Sequence, residues 1–146
     1  MNQQEFIKVT GDVNIVVTGP DGQVKDQREI KNLVVTTGKN FIAGRMTGTT
    51  TIMSHMSIGS SSTAAAAGDS VLGTELGRVA LSSGTTTGAV TTYAATFPAG
   101  TGTGAVVEAG ILNAATAGVL LCRTVFSVVN KGANDTMTIT WAVTIS

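Results

Sequence analysis

Thr136-Met137-Thr138-Ile139-Thr140-Trp141-Ala142-Val143-Thr144-Ile145 closes the chain with Met137, Ile139, Trp141, Val143 and Ile145 alternating against threonine and alanine. Period two over ten residues specifies a strand with one apolar and one threonine face, because successive side chains on a strand point to opposite sides. Residues 120–129 upstream are also alternating and β-branched, and Asn130-Lys131-Gly132-Ala133-Asn134-Asp135 between them is dense in turn formers. The two runs are expected to pair as an antiparallel hairpin.

Working outward, similar patterns predict strands over 53–58, 76–81, 89–97 and 106–113. The stretches 60–68, 82–88 and 100–104 are built of Gly, Ser, Thr and Ala and read as loops or flat extended segments. At the N-terminus Ile7, Val9, Val13, Ile15 and Val17 share the odd positions, and Gly19-Pro20-Asp21-Gly22 supplies a tight turn. The return arm over 23–31 carries Lys25, Asp26, Arg28, Glu29 and Lys31, which suits an edge strand blunted by charge. Only 36–46 argues for helix, with Thr36 or Thr37 as cap and Phe41, Ile42, Arg45 and Met46 on one face; Gly38 and Gly44 limit it to two or three turns. A shorter turn is expected around 69–72. The reading is an all-β chain, an antiparallel β-sandwich with one short helix near residues 37–46, in a single domain over 1–146 whose residues 1–31 form a charged hairpin.

The charge distribution points to function class. Eleven charged side chains fall in the first 45 residues and seven in the remaining 101, with 12% charged and no net charge overall. Freely diffusing domains carry about twice that density and a net charge away from zero. A sparsely charged surface suits burial against other protein. No basic run marks a nucleic-acid surface, and no stretch resembles a membrane span of about 20 apolar residues. The polar, acidic Met1-Asn2-Gln3-Gln4-Glu5 does not read as a secretory signal. Cys122 is the only cysteine, which fits synthesis in a reducing bacterial cytoplasm.

Catalytic chemistry finds little support. His55, the only histidine, has no partner nucleophile or carboxylate placed by sequence. Gly68-Asp69-Ser70 matches a triplet of some esterases, but no histidine follows residue 55 to complete that machinery, so Asp69 reads as a turn or cap. Gly100-Thr101-Gly102-Thr103-Gly104 lacks the spacing and Lys-Ser/Thr pair of phosphate loops. Cys122 has no metal-binding neighbour and reads as a small core residue. Asn134-Asp135-Thr136 fits a glycosylation pattern but equally a hairpin turn, and the turn is preferred. No cofactor and no metal are expected, and the chain does not read as an enzyme. Glu108 and Arg123 are lone charges in expected strands; the ordinary reading is that they face solvent, the alternative that they pair across strands or across a subunit boundary.

Taken in order, Asn32-Leu33-Val34-Val35-Thr36-Thr37-Gly38, the short helix through Arg45-Met46, Met56-Ser57-Ile58-Gly59, Glu75-Leu76 with Arg78, Glu108-Ala109-Gly110-Ile111-Leu112-Asn113, Leu121-Cys122-Arg123-Thr124-Val125-Phe126 and Asp135 to Trp141 resemble small virion proteins of tailed bacteriophages. These are capsid decoration (cement) proteins and tail-fibre-like relatives. The resemblance spans residues 30–146. It implies a sandwich or jelly-roll domain on the capsid surface, with the major capsid protein and further copies of itself, as dimer or trimer, for partners. It carries no catalytic motif.

On that reading the chain cements neighbouring capsid subunits from outside the shell. The charged hairpin is the docking candidate: Lys8, Lys25, Arg28 and Lys31 to meet acidic capsid surface, Ile7 and Val9 to add a strand to a neighbour. Deleting residues 1–12 is then expected to abolish binding and leave the sandwich folded. The alternative function is a head-fibre or tail-tip module binding a host glycan, with Trp141 and Tyr93 as stacking residues.

Overall fold

Among the described residues the chain forms nine antiparallel strands: β1 (Val9–Thr18), β2 (Val24–Val34), β3 (His55–Gly59), β4 (Glu75–Ala80), β5 (Ser83–Thr87), β6 (Val90–Phe97), β7 (Gly104–Leu112), β8 (Leu120–Lys131) and β9 (Thr136–Ile145). The helix α1 (Thr36–Arg45) lies between β2 and β3. The computed structural model describes residues 5–146, so the first four residues of the expected hairpin lie outside the described residues.

The strands follow one another laterally in the order β4-β3-β7-β8-β2-β1-β9-β6-β5. This curled sheet makes two layers because β2 changes partner along its length. Asn32 and the residues before it pair with β1, whereas Leu33 and Val34 pair with Arg123 and Cys122 of β8. The two outer strands are joined as well. β4 runs on into β5 through Leu81 and Ser82, whose N–H groups donate to Ser54 on one layer (2.9 Å) and Ala94 on the other (2.8 Å). β4 and β5 nevertheless remain the two edges of the sheet, each paired on one side only. Pairings nest in sequence, β1 with β9, β2 with β8, β3 with β7 and β5 with β6, which is the rolled-ribbon arrangement of a jelly roll.

The closing segment takes the expected role. Met137, Ile139, Trp141 and Val143 turn inward with Val13, Ile15, Val17, Ala95 and Phe97 of their neighbours, and meet Met56, Ile58, Val106, Ala109 and Ile111 of the opposite layer. Its expected hairpin with 120–129 does not form: β8 pairs with β7 and β2, and β9 with β1 and β6. Between them the turn crosses from one layer to the other. It is held by the Lys131 ammonium on the Pro98 carbonyl (2.9 Å) and by the Asp135 carboxylate, which accepts the Gly132 N–H and the Lys25 ammonium (both 2.8 Å).

Residues 83–87 take the extended of the two expected forms, as a strand whose threonine run pairs along β6 from Ser83↔Ala94 to Thr87↔Val90. Three further expectations change. No helical turn forms over 69–72. The helix starts without a threonine cap: Val35 occupies the cap position, and Thr37 instead donates its hydroxyl to the Leu120 carbonyl (2.8 Å). Gly38 lets the helix backbone sit against β8, since a Cβ there would lie 1.9 Å from the Leu121 carbonyl oxygen. Phe41 is buried, but Met46 is exposed and does not share its face.

The N-terminal hairpin forms with the expected turn, Gly22 taking φ +81° and the Gln23 N–H donating to Asp21 at 3.0 Å. Its second arm is not a simple edge strand. Opposite the middle of β2, strand β8 carries a bulge between Val125 and Val129, and the Arg28 guanidinium spans the gap to the Ser127 and Val128 carbonyls (3.2 and 3.1 Å) while holding Asp26.

Candidate functional site

The charges of the C-terminal region are mostly spent on building the fold. Glu108 on β7 and Arg123 on β8 are both buried, so neither faces solvent. The Arg123 Nε donates to Glu108 Oε1 at 3.0 Å, its Nη1 to Asp69 at 2.9 Å and its Nη2 to the Thr63 carbonyl at 2.9 Å. Glu108 also accepts the N–H groups of Ser61, Gly73 and Thr74, each at 2.8 Å. One carboxylate and one guanidinium thus anchor both ends of the 60–74 loop to the sheet, and the pairing lies within one chain. Burial pushes the Glu108 carboxyl up, but the three N–H donors and Arg123 together outweigh it and hold it below the usual carboxylate range. Asp69 is also held low, first by the Ala66 N–H and then, against some desolvation, by Arg123. Nothing in the composition of the 60–68 stretch signals this anchoring; the lone charges in two strands were the only hint.

The docking candidates separate into three groups. Lys25 and Arg28 are engaged inside the chain, on Asp135 and on Asp26 with the bulge carbonyls. Val9 belongs to β1 and packs against the core. Ile7 and Lys8 lie just outside β1, with Ile7 exposed and the Lys8 backbone paired with Ser146 (2.7 and 2.8 Å). Lys31, strongly exposed, pairs with Asp12 across the hairpin. Deleting residues 1–12 would therefore remove Val9, Thr10, Gly11 and Asp12 from a strand paired on both sides, and would not leave the sandwich intact.

Two surface features remain. On the outer face of β5, β6 and β9 the side chains are Thr85, Thr87, Val90, Thr92, Ala94, Thr96, Thr138, Thr140, Ala142 and Thr144, without a charge among them. Asp12, Glu29 and Lys31 stand along its β1–β2 margin, in register with Ala142 and Thr140. At one end of the sandwich, a groove of about 660 Å³ opens between α1 and the ends of β5, β6 and β9. Phe41, Ile42, Ile52, Leu81, Tyr93 and Ile145 line it, with Arg45 at the helix side.

Comparison with protein-family models, curated proteins and solved structures gives no match. What the chain does must be argued from its surfaces. Among the described residues no cluster of three or more His, Cys, Asp or Glu side chains could hold a metal ion, and no helix is long and apolar enough to cross a membrane. The Ser54 hydroxyl does lie 2.8 Å from His55 Nδ1, but no acidic side chain among the described residues hydrogen-bonds that ring to orient it. Cys122 is buried and its thiol is pushed well up by desolvation, which makes it a core group and a poor nucleophile. Trp141, on β9 between β1 and β6, is wholly buried and offers no stacking surface, so the glycan-binding alternative loses its main aromatic residue.

Proposed function

We propose that this chain is a capsid decoration protein of a tailed bacteriophage, binding the outside of the shell and cementing neighbouring major capsid subunits without catalysis. The observation that carries this reading is the uncharged threonine and alanine face of β5, β6 and β9 with its charged margin at Asp12, Glu29 and Lys31. Interfaces are built in that way, depleted of charge at the centre and polar at the rim. With the β1–β2 margin included, five strands at about 4.8 Å spacing and roughly 30 Å length give a face of about 700 Å², close to the 800 Å² per partner that specific complexes bury. Threonine keeps such a face soluble before it docks.

The role also needs a rigid module, and the curled sheet with its tethered loop supplies one. Cementing works by mass action: each bound copy favours the closed shell over the open one, and modest energies add over many copies. The resemblance of residues 30–146 to small virion proteins points the same way. Lys31 stays in the docking set as a rim residue, while Lys25 and Arg28 leave it because they hold the fold.

The test adds purified protein to capsids lacking it, counts bound copies and measures the heat resistance of the particles. Hundreds of copies and a raised disruption temperature are expected, and Thr92→Lys with Thr140→Lys should abolish binding while the isolated domain stays folded. No binding, or binding only at the tail vertex, would sink the cement reading.

A further inference from the structure

Exposed apolar side chains gather at the α1 end of the molecule. Phe6 is 82% exposed, Ile7 78% and Ile52 61%. Ile52 and Ile145 line the groove described above, and Ile145 is the direct strand partner of Val9, two residues from Ile7. An apolar arm therefore starts at the mouth of an apolar groove.

The backbone disfavours a return of the arm into its own groove. Both backbone groups of Lys8 are bonded to Ser146, which fixes the chain as an extension of β1 running past the last residue of β9. Reversal would then have to occur within Glu5-Phe6-Ile7, a segment with no Gly, Pro, Asn or Asp to favour a turn. A second copy meeting this end of the molecule faces no such constraint. Since arm and groove lie at the same end, two copies can exchange arms about a two-fold axis and close the assembly at a dimer. Charge agrees with this occupant: Glu5 directly precedes Phe6 on the arm, and the exposed Arg45 stands beside the groove.

We infer that the chain forms a dimer by reciprocal arm exchange, Phe6 and Ile7 of each copy filling the groove between α1 and β6 of the other, with Glu5 against Arg45. Self-association belongs to the reading above; its route and residues are what is added. The route is tested on purified protein in the absence of any capsid, so its failure and a failure of the cement reading are separate results.

Sedimentation equilibrium of the full chain over micromolar concentrations should show a dimer. Phe6→Ala with Ile7→Ala, and separately Ile52→Glu at the groove mouth, should each raise the dissociation constant at least thirtyfold, the scale of losing a buried anchor, with unchanged circular dichroism. Glu5→Arg and Arg45→Glu should each weaken the dimer and together restore it, which stays informative if a groove variant folds poorly. Ile7→Cys combined with Ile52→Cys should yield a covalent dimer on oxidation. A monomer at 100 μM (on the order of a weak-complex threshold), a dimer indifferent to the arm substitutions, or a disulfide closed within one chain would each overturn the exchange.

Discussion

Glu108 Oε1 accepts the Nε–H of Arg123 at 3.0 Å in a site closed to solvent, and the same carboxylate receives three backbone N–H groups from the loop it faces. The pair is therefore asymmetric. Arg123 has other acceptors in Asp69 and the Thr63 carbonyl, whereas the Ser61, Gly73 and Thr74 N–H groups converge on Glu108 alone. Removing one member of a buried pair strands the other and costs about 3–5 kcal/mol. Glu108→Ala and Arg123→Ala should both fall in that range by urea denaturation. Glu108→Arg combined with Arg123→Glu should not rescue stability, because a guanidinium in place of the Glu108 carboxylate would confront three N–H donors. Recovery in the double variant would show that the simple ion pair, and not the loop anchor, is what matters.

Acid should loosen this anchor first. The folded carboxyls of Glu108 and Asp69 are held below their ordinary values, so the folded state binds fewer protons than the unfolded one. Their contribution is complete above the unfolded carboxylate range of about 4 and is lost as pH falls through the lower folded values. Urea midpoints should be flat from neutral pH to about 5 and then decline. Hydrogen exchange at the Ser61, Gly73 and Thr74 amides should quicken before exchange in β9. An acid decline of the same size in Glu108→Gln with Asp69→Asn would assign it to other groups.

Gly38→Ala tests a contact against a propensity. Alanine is favoured over glycine by about 1 kcal/mol inside a helix, so helix propensity alone forecasts stabilisation. The close approach of α1 to the Leu121 carbonyl forecasts the reverse, a loss of about 1–3 kcal/mol as the helix is pushed off β8. The sign of the change in melting temperature decides between them.

How much of this was open to sequence reading depends on the range of the interaction concerned. Strand β9 declared itself because alternation is local: Trp141 and Ile139 fall inward whatever their partners are. Its partners did not, since a turn dense in Gly, Asn and Asp serves equally for a hairpin and for a crossing between layers; what distinguishes them here is the Lys131 ammonium reaching Pro98, thirty-three positions away. Strand β5 stays ambiguous between loop and extended segment because an exposed Ser-Gly-Thr run has no apolar face to decide it. The basic docking candidates rest on charge, and charge alone cannot tell Lys31, standing in solvent, from Arg28, spent on two carbonyls of β8. The groove at α1 joins six separate segments of the chain, so no window of sequence displays it.

Ser57→Ala should be neutral or stabilising. The Ser57 hydroxyl is wholly buried on β3 and has no hydrogen-bond partner among the described residues. Desolvating a hydroxyl without replacing its bond costs about 1–3 kcal/mol, and alanine removes that cost while leaving the backbone pairing with Arg78 and Gly110. A clear fall in melting temperature would mean that the hydroxyl has a partner, a buried water for example.

Arg28→Ala and Lys31→Ala separate the two kinds of charge on the N-terminal hairpin. Both residues sit on β2 and both hold an aspartate, but Lys31 and Asp12 are largely exposed at 84% and 57%, where an ion pair contributes little. Lys31→Ala should change stability by less than about 0.5 kcal/mol and, on the cement reading, should weaken capsid binding as a rim charge does, more at low salt than at high. Arg28 instead bonds the Ser127 and Val128 carbonyls, within the stretch where β8 bulges in its pairing with β7. Its loss leaves two acceptors to water and should cost about 1 kcal/mol, with faster hydrogen exchange confined to the bulge between Val125 and Val129. If Arg28→Ala leaves those amides protected while capsid binding fails, then the guanidinium acts at the surface after all and the structural role assigned to it is wrong.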